Sequence, residues 1–163
     1  MYNLFFESKL GWIEIVADET SVFKIHLTAN NSTENPNAVC LEMKKELISY
    51  LDNKLKAFTV PLKLVGTDFQ KQVWQALIKI SFGEIISYQN LATKMGKRSA
   101  VRAVANAVGA NPLLIVVPCH RVIGTNHTLT GFSAGLENKV FLLTLEGHHL
   151  KTNNNLSKSK LIN

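Results

Sequence analysis

The chain has 163 residues, of which 46% are hydrophobic and 18% charged, and carries a formal net charge of +6. That balance excludes a disordered chain and allows one domain or two small lobes, and the positive excess favours a polyanionic partner without requiring one. With only Cys40 and Cys119 a disulfide framework is excluded, and no apolar run approaches the ~20 residues of a bilayer span.

The opening MYNLFFESKLGWIEIVA is broken by Glu7, Lys9 and Glu14 and does not read as a signal peptide. A soluble cytoplasmic protein with reduced thiols is therefore expected. Within it, NLFFE and LGWIEIVA are strand candidates joined by a turn near Ser8 and Lys9. In VFKIHLT, Phe23, Ile25 and Leu27 alternate with Lys24 and His26, the period of a strand with one wet face. The polar TANNSTENPN predicts a loop, and beyond Pro36 the four-residue recurrence of Val39, Met43, Leu47 and Leu51 predicts a helix with Cys40 as a core thiol.

Composition changes near Gly66, and a boundary is placed at residues 60 to 66. Thr67-Asp68-Phe69-Gln70 spells a capping box, followed by a stripe of Phe69, Val73 and Leu77. Ser87 can cap a short helix ended by Gly96, and Ser99 a second one whose Val101, Val104, Ala105 and Val108 face inward. Such a pair spells a helix-turn-helix, with Arg102 and Asn106 four apart on one face and Lys94, Lys97 and Arg98 around the turn. The same residues equally describe an ordinary helical hairpin with a solvated edge. Asn111-Pro112 turns the chain into LLIVV, which predicts a buried strand. GTNHTLTGFSAGLEN is a loop able to close over a site, KVFLLTLEG a last helix, and the tail from residue 151 a polar segment that frays.

The segment IVVPCHRV places Cys119 just after the apolar run, between Pro118 and His120. A free cysteine is only a few per cent thiolate at neutral pH, so a nucleophilic one needs a neighbour that favours the anion. His120 is adjacent, and Glu146 is a candidate by type to hold its far nitrogen. Metal binding is the rival use, but no second Cys or His stands at ligand spacing; His26, His127, His148 and His149 read as strand, loop or tail residues, and no metal is expected.

GTDFQKQVWQAL, GEIISYQNLATKMGKRSAVRAVANAVGANPLLIVVPCHRVIG and GFSAGLENKVFLLTLEG together resemble the O6-alkylguanine-DNA alkyltransferases, or methylated-DNA-protein-cysteine methyltransferases. The likeness runs from Gly66 to Gly147, in order and at the right spacing. It implies an α/β (α+β) fold with a small ribonuclease H-like sheet-plus-helix lobe at 1–62, a mainly helical DNA-binding and alkyl-acceptor domain with a helix-turn-helix at 63–150, and a tail at 151–163. It implies a monomer without cofactor or membrane contact, acting on double-stranded DNA that contains O6-alkylguanine; activity on O4-methylthymine stays open. Cys119 would take the alkyl group and keep it as a thioether, one molecule per lesion. His120 and Glu146 would form a relay through water, Asn111 a hinge, and Tyr88 a donor toward guanine N3. Val122, Phe132 and Ser133 would line the alkylguanine pocket, the backbone at Cys119 and Val122 reading the guanine edge. Arg102 would be the finger that fills the gap left by a flipped base, with the second helix in the minor groove; Lys94, Lys97, Arg98, Ser99, Ala103 and Arg121 would complete the DNA contacts, and Ala103, Ala107 and Gly109 suit close approach and would equally suit tight packing inside the lobe.

The sequence departs from the family where many members carry a tyrosine in place of Phe132 and two glycines in place of Ala134-Gly135. Two other classes are distinguishable. A lesion-binding module without chemistry would lack Cys119, and a cysteine hydrolase would more often set its nucleophile at the head of a helix rather than after a strand ended by proline.

Overall fold

The computed structural model describes residues 1–29, 31–151 and 160–162. They form a mixed α/β chain that divides into two compact units, Met1–Val65 with Pro112–Leu114, and Gly66–Asn111 with Ile115–Asn163.

In the first unit β1 (Tyr2–Ser8), β2 (Gly11–Ala17) and β3 (Val22–Thr28) form an antiparallel meander in the order β1-β2-β3. Apolar pairing sets the register, with Leu4 opposite Ile15, Phe6 opposite Ile13 and Ile15 opposite Ile25, all buried; Phe5, Val16 and Ala17 are buried as well, so both faces of the sheet are partly covered. Helix α1 (Ala38–Leu51) begins where the Asn37 side chain accepts from the Cys40 N–H at 3.0 Å, and it buries Cys40, Met43, Leu47, Tyr50 and Leu51. Each such aliphatic or aromatic side chain contributes about 1.5–3 kcal/mol on leaving water. Glu46 also points inward, where the N–H groups of Thr59 and Val60 and the Thr59 hydroxyl satisfy its carboxylate.

The second unit opens with α2 (Asp68–Ile78), started by the full Thr67/Gln70 capping box and burying Val73, Trp74 and Leu77. Strand β4 (Ile86–Ser87) leads into α3 (Tyr88–Lys94), whose Ser87 cap accepts from the Asn90 N–H. Gly96 takes φ +68°, a left-handed turn that a residue with a Cβ rarely adopts, and the chain reverses. Helix α4 (Val101–Gly109) follows and buries Val104, Ala107 and Val108. The Trp74 indole donates to the Ala107 carbonyl at 2.8 Å and ties α2 to α4. Strand β5 (Val122–Ile123) pairs in parallel with β4, setting Ile86 against Val122. Helix α5 (Leu136–Leu145) then packs Leu143 with Ile123 and Leu129.

Three expectations are corrected. Ser99 caps nothing: Arg98–Ala100 winds into a 3-10 turn, and the Ala100 N–H bonds the Lys97 carbonyl where a side-chain cap was expected. LLIVV is no strand. Leu113 makes a single bridge to Ile25 in the first unit, the chain turns at once, and Ile115 sits at φ +72°, strained for a β-branched residue. Full burial produced the apolar run, and a buried turn yields the same run as a buried strand. Of the two readings open for Ala107, close approach to a partner and packing inside the lobe, the structure takes the second. Of the tail, Lys160–Ile162 forms β7 and pairs with β6 (His149–Lys151), because Leu161 is an apolar anchor buried against Ile123, Leu129 and Leu143; residues 152–159 and 163 lie outside the described residues.

Candidate active site

Cys119 begins a single 3-10 turn, Cys119–Arg121, rather than following a strand. Pro118 at φ −81°, ψ 63° is the centre of an inverse γ-turn, closed by the Cys119 N–H to the Val117 carbonyl at 2.8 Å. This kink buries the thiol, with 4% of the residue exposed. Asn111 locks it in place: its Nδ2 donates to the Val117 carbonyl at 2.8 Å and to Cys119 Sγ at 3.2 Å. Burial pushes the Cys119 thiol up from its ordinary range, and the Asn111 hydrogen bond and the Lys139 charge only partly oppose this. The resting sulfur is thus a thiol, and the adjacent histidine does not hold it as a thiolate.

His120 is fully buried, and its Nε2 lies 2.9 Å from Glu146 Oε1. Burial lowers its pKa despite the carboxylate, and the nearby Arg121 and Lys139 charges lower it further. The imidazole is therefore neutral at neutral pH and able to take a proton. Glu146, at the C-terminal cap of α5, also accepts from the Gly83 N–H at 3.0 Å.

Arg121 requires a correction. The resemblance sets it among DNA contacts, yet it is buried: Nε donates to both Glu146 oxygens at 3.1 and 2.9 Å, Nη2 donates to Oε1 at 2.8 Å, and Nη1 donates to the Ile80 carbonyl. A buried carboxylate needs a counter-charge, and Arg121 supplies it through its planar fork. Because that charge is already balanced, Glu146 orients His120 without driving it to imidazolium.

Sequence reasoning missed Lys139. It is fully buried on α5, and its Nζ donates to the Val122 carbonyl at 2.7 Å and the Thr130 carbonyl at 2.9 Å, pinning the loop after β5 back onto β5. Desolvation lowers its pKa to about 8. The signal was present, since Leu136, Leu142 and Leu143 stand at i−3, i+3 and i+4 and put the lysine in the apolar stripe. Tyr88 opens α3 and shares a side-chain hydrogen bond with Thr130; burial raises its pKa, so it is a neutral donor. The Val122 N–H donates to the Cys119 carbonyl, and its own carbonyl, already taken by Lys139, keeps one lone pair for a ligand. Phe132 is half-buried and Ser133 exposed on the same loop. Lys94, Arg98, Ser99, Arg102 and Ala103 are exposed, whereas Lys97 holds its ammonium 5.5 Å over the Phe69 ring.

One unit thus carries a buried thiol, a neutral histidine held by a glutamate, and an exposed helix-turn-helix. Comparison with known proteins supplies the family. The pattern described as "6-O-methylguanine DNA methyltransferase, DNA binding domain" matches residues 68–148, and "6-O-methylguanine DNA methyltransferase, ribonuclease-like domain" matches residues 1–64. The inducible methylated-DNA-protein-cysteine methyltransferase of Bacillus subtilis is 54% identical over 101 residues, 62% of this chain and 56% of that one. The Haemophilus influenzae protein of that name is 38% identical over 154 residues, 90% of this chain and 86% of that one. The crystal structure of Mycobacterium tuberculosis OGT in complex with DNA superposes with a TM-score of 0.83 at 36% identity, covering 90% of this chain and 92% of that one. The chain belongs to the 6-O-methylguanine DNA methyltransferase family.

Proposed function

We propose that the chain is a DNA repair methyltransferase that flips O6-methylguanine out of duplex DNA and moves the methyl group onto its own Cys119, once per molecule. One observation carries this reading: a buried, protonated thiol fixed by Asn111 stands beside a histidine that burial keeps neutral and Glu146 orients.

In the reaction Sγ attacks the methyl carbon and the bond from that carbon to O6 breaks. The thiol proton passes to His120, through a water as in the family, and Glu146 balances the imidazolium. Guanine leaves with the electron pair on its O6 side, Tyr88 donates toward N3 as that charge develops, and one proton ends on the base. The sum is thiol plus O6-methylguanine giving thioether plus guanine. Burial makes each of these dipoles act at low dielectric. A hydrolase would hold a resident thiolate; here the thiol pKa is raised, and a single 3-10 turn offers little dipole to lower it.

Arg102, at the exposed start of α4, would fill the gap left by the flipped base, with α4 in the minor groove and Lys94, Lys97, Arg98, Ser99 and Ala103 on the flanking backbone. Val122, Phe132 and Ser133 would line the pocket. Residues 1–62 would act as the ribonuclease H-like lobe and 63–150 as the DNA-binding and acceptor domain, in a cytoplasmic monomer associated with the nucleoid if bacterial. None of the described helices is long and apolar enough to cross a membrane. Incubation with a duplex carrying one radiolabelled O6-methylguanine tests the reading: label should move to protein until one equivalent is bound, and Cys119→Ser should take up none. Label released as a small product over repeated cycles would contradict it.

A further inference from the structure

The helix-turn-helix carries a polar side chain that no step of the transfer uses. With 3.6 residues per turn and Arg102 taken as the origin, Asn106 projects at roughly 40° and the buried Val104, Ala107 and Val108 centre near roughly 190°, so Asn106 points almost directly away from the core. Its exposed neighbours on that face are Arg102, Ala103, Gly109 and Ala110. Apart from Arg102, nothing beside it is taller than a methyl group, and a short amide can reach a base edge only where its neighbours let the backbone come close.

The chemistry of the face is asymmetric. Arg102 offers only donors, and Ala103, Gly109 and Ala110 offer no side-chain polar atom. Asn106 Oδ1 is therefore the one side-chain acceptor on the exposed face of α4. In the minor groove every base pair presents acceptors, and only a pair containing guanine adds a donor, the 2-amino group. Arginine can serve the acceptors; Ser99, in the turn before α4, offers a hydroxyl on the far side of Arg102, so on the α4 side the amino group needs Asn106. The two residues are separated by about 6 Å along the helix axis, between one and two base-pair steps of ~3.4 Å. An arginine in the gap of the flipped base thus sets the asparagine over a neighbouring pair.

Resting on the alkyltransferase reading above, we propose that Asn106, one turn beyond Arg102 on the exposed face of α4, selects lesions flanked by a G·C pair by accepting a hydrogen bond from the guanine 2-amino group in the minor groove. This makes it a specificity-determining residue for sequence context, acting on the neighbour rather than on the alkylated base.

The test is single-turnover methyl transfer by the full chain and by Asn106→Ala, on duplexes whose pair beside the lesion, on each side in turn, is G·C, inosine·C, A·T or 2,6-diaminopurine·T. The ratio of wild type to variant on each duplex cancels that duplex's own opening cost. The site is exposed and alanine is the better helix former, so the variant folds. On one side, the ratio should be higher on the order of fivefold for G·C and diaminopurine·T than for inosine·C and A·T, as a lost base-edge contact requires. Asn106→Asp, which keeps the acceptor, should preserve the sorting at lower overall affinity. A ratio equal on all four duplexes would place the amide on phosphate or on nothing, and a ratio that groups G·C with inosine·C would place it in the major groove; either overturns the proposal. Failure of the wild type to transfer methyl to any duplex would remove the alkyltransferase reading as well, whereas transfer with a constant ratio removes this inference alone.

Discussion

Arg121 and His120 share one carboxylate oxygen: Glu146 Oε1 lies 2.8 Å from Arg121 Nη2 and 2.9 Å from His120 Nε2. Consecutive residues of a 3-10 turn thus converge on the C-terminal cap of α5, and the arginine neutralises the acid that aims the histidine. Arg121→Gln leaves a buried carboxylate without its counter-charge and should lower unfolding stability by about 3 kcal/mol in urea titration. The exposed Arg102→Ala should cost less than about 0.5 kcal/mol. Equal losses would mean that Arg121 is not the counter-ion.

The folded pKa of His120 lies below its unfolded value of 6.5, so the unfolded chain binds the extra proton more readily, and stability is lost as pH falls below 6.5. In the proposed mechanism the same group is the base. Methyl transfer should stay flat from pH 8 through 6.5 and decline only further down, as pH approaches the lowered folded pKa and the imidazole is protonated. In His120→Ala, with the thiol pKa raised above 9, the rate should start low and climb about tenfold per pH unit as hydroxide makes the thiolate. A pH-independent His120→Ala rate would sever the histidine from thiol deprotonation.

Lys139 titrates in the opposite range. Its pKa falls from 10.5 unfolded to about 8 folded, so between these values the unfolded chain binds more protons and stability rises with pH. Relative to Lys139→Met, the wild type should gain on the order of 3 kcal/mol from pH 8 to 10.5. A flat difference would show that Lys139 is hydrated in solution.

Asn111 donates to both Val117 O and Cys119 Sγ. Its strongest service comes when sulfur carries charge, so Asn111→Ala should slow transfer at saturating duplex by about 10- to 100-fold, the worth of one hydrogen bond to an ion. Unchanged transfer would reduce Asn111 to a backbone clamp.

Lys94 and Arg98 stand exposed on α3 and in the turn before α4. Replacing either with alanine should weaken binding to every duplex alike and reduce the slope of log affinity against log salt by about 1. An unchanged slope would take that residue off the phosphate backbone.

How much of this was written in the sequence varies residue by residue. The capping box at Thr67, the Gly96 turn and the three strands of the first unit were legible because each is decided within a few residues, although burial in those strands does not follow the alternation. Cys119 was legible from its polar flank, and Glu146 from its type. Arg121 was misassigned because a cation beside a reactive site reads as a ligand contact, and only a partner 25 residues away shows it to be buried. LLIVV misled because burial, not laddering, makes a run apolar. Lys139 was overlooked although its leucine neighbours marked it, and Leu161 because a few scattered apolar residues in a polar tail are a weak signal until β6 offers a strand partner.

The most direct measurement is the peptide mass of the protein after reaction with a duplex bearing one O6-methylguanine, beside Cys119→Ser. The account predicts a gain of one methylene on the peptide that contains Cys119, saturating at one equivalent, with the variant unchanged. Tight duplex binding with no change in that mass, or a methyl group found on another residue, would contradict it.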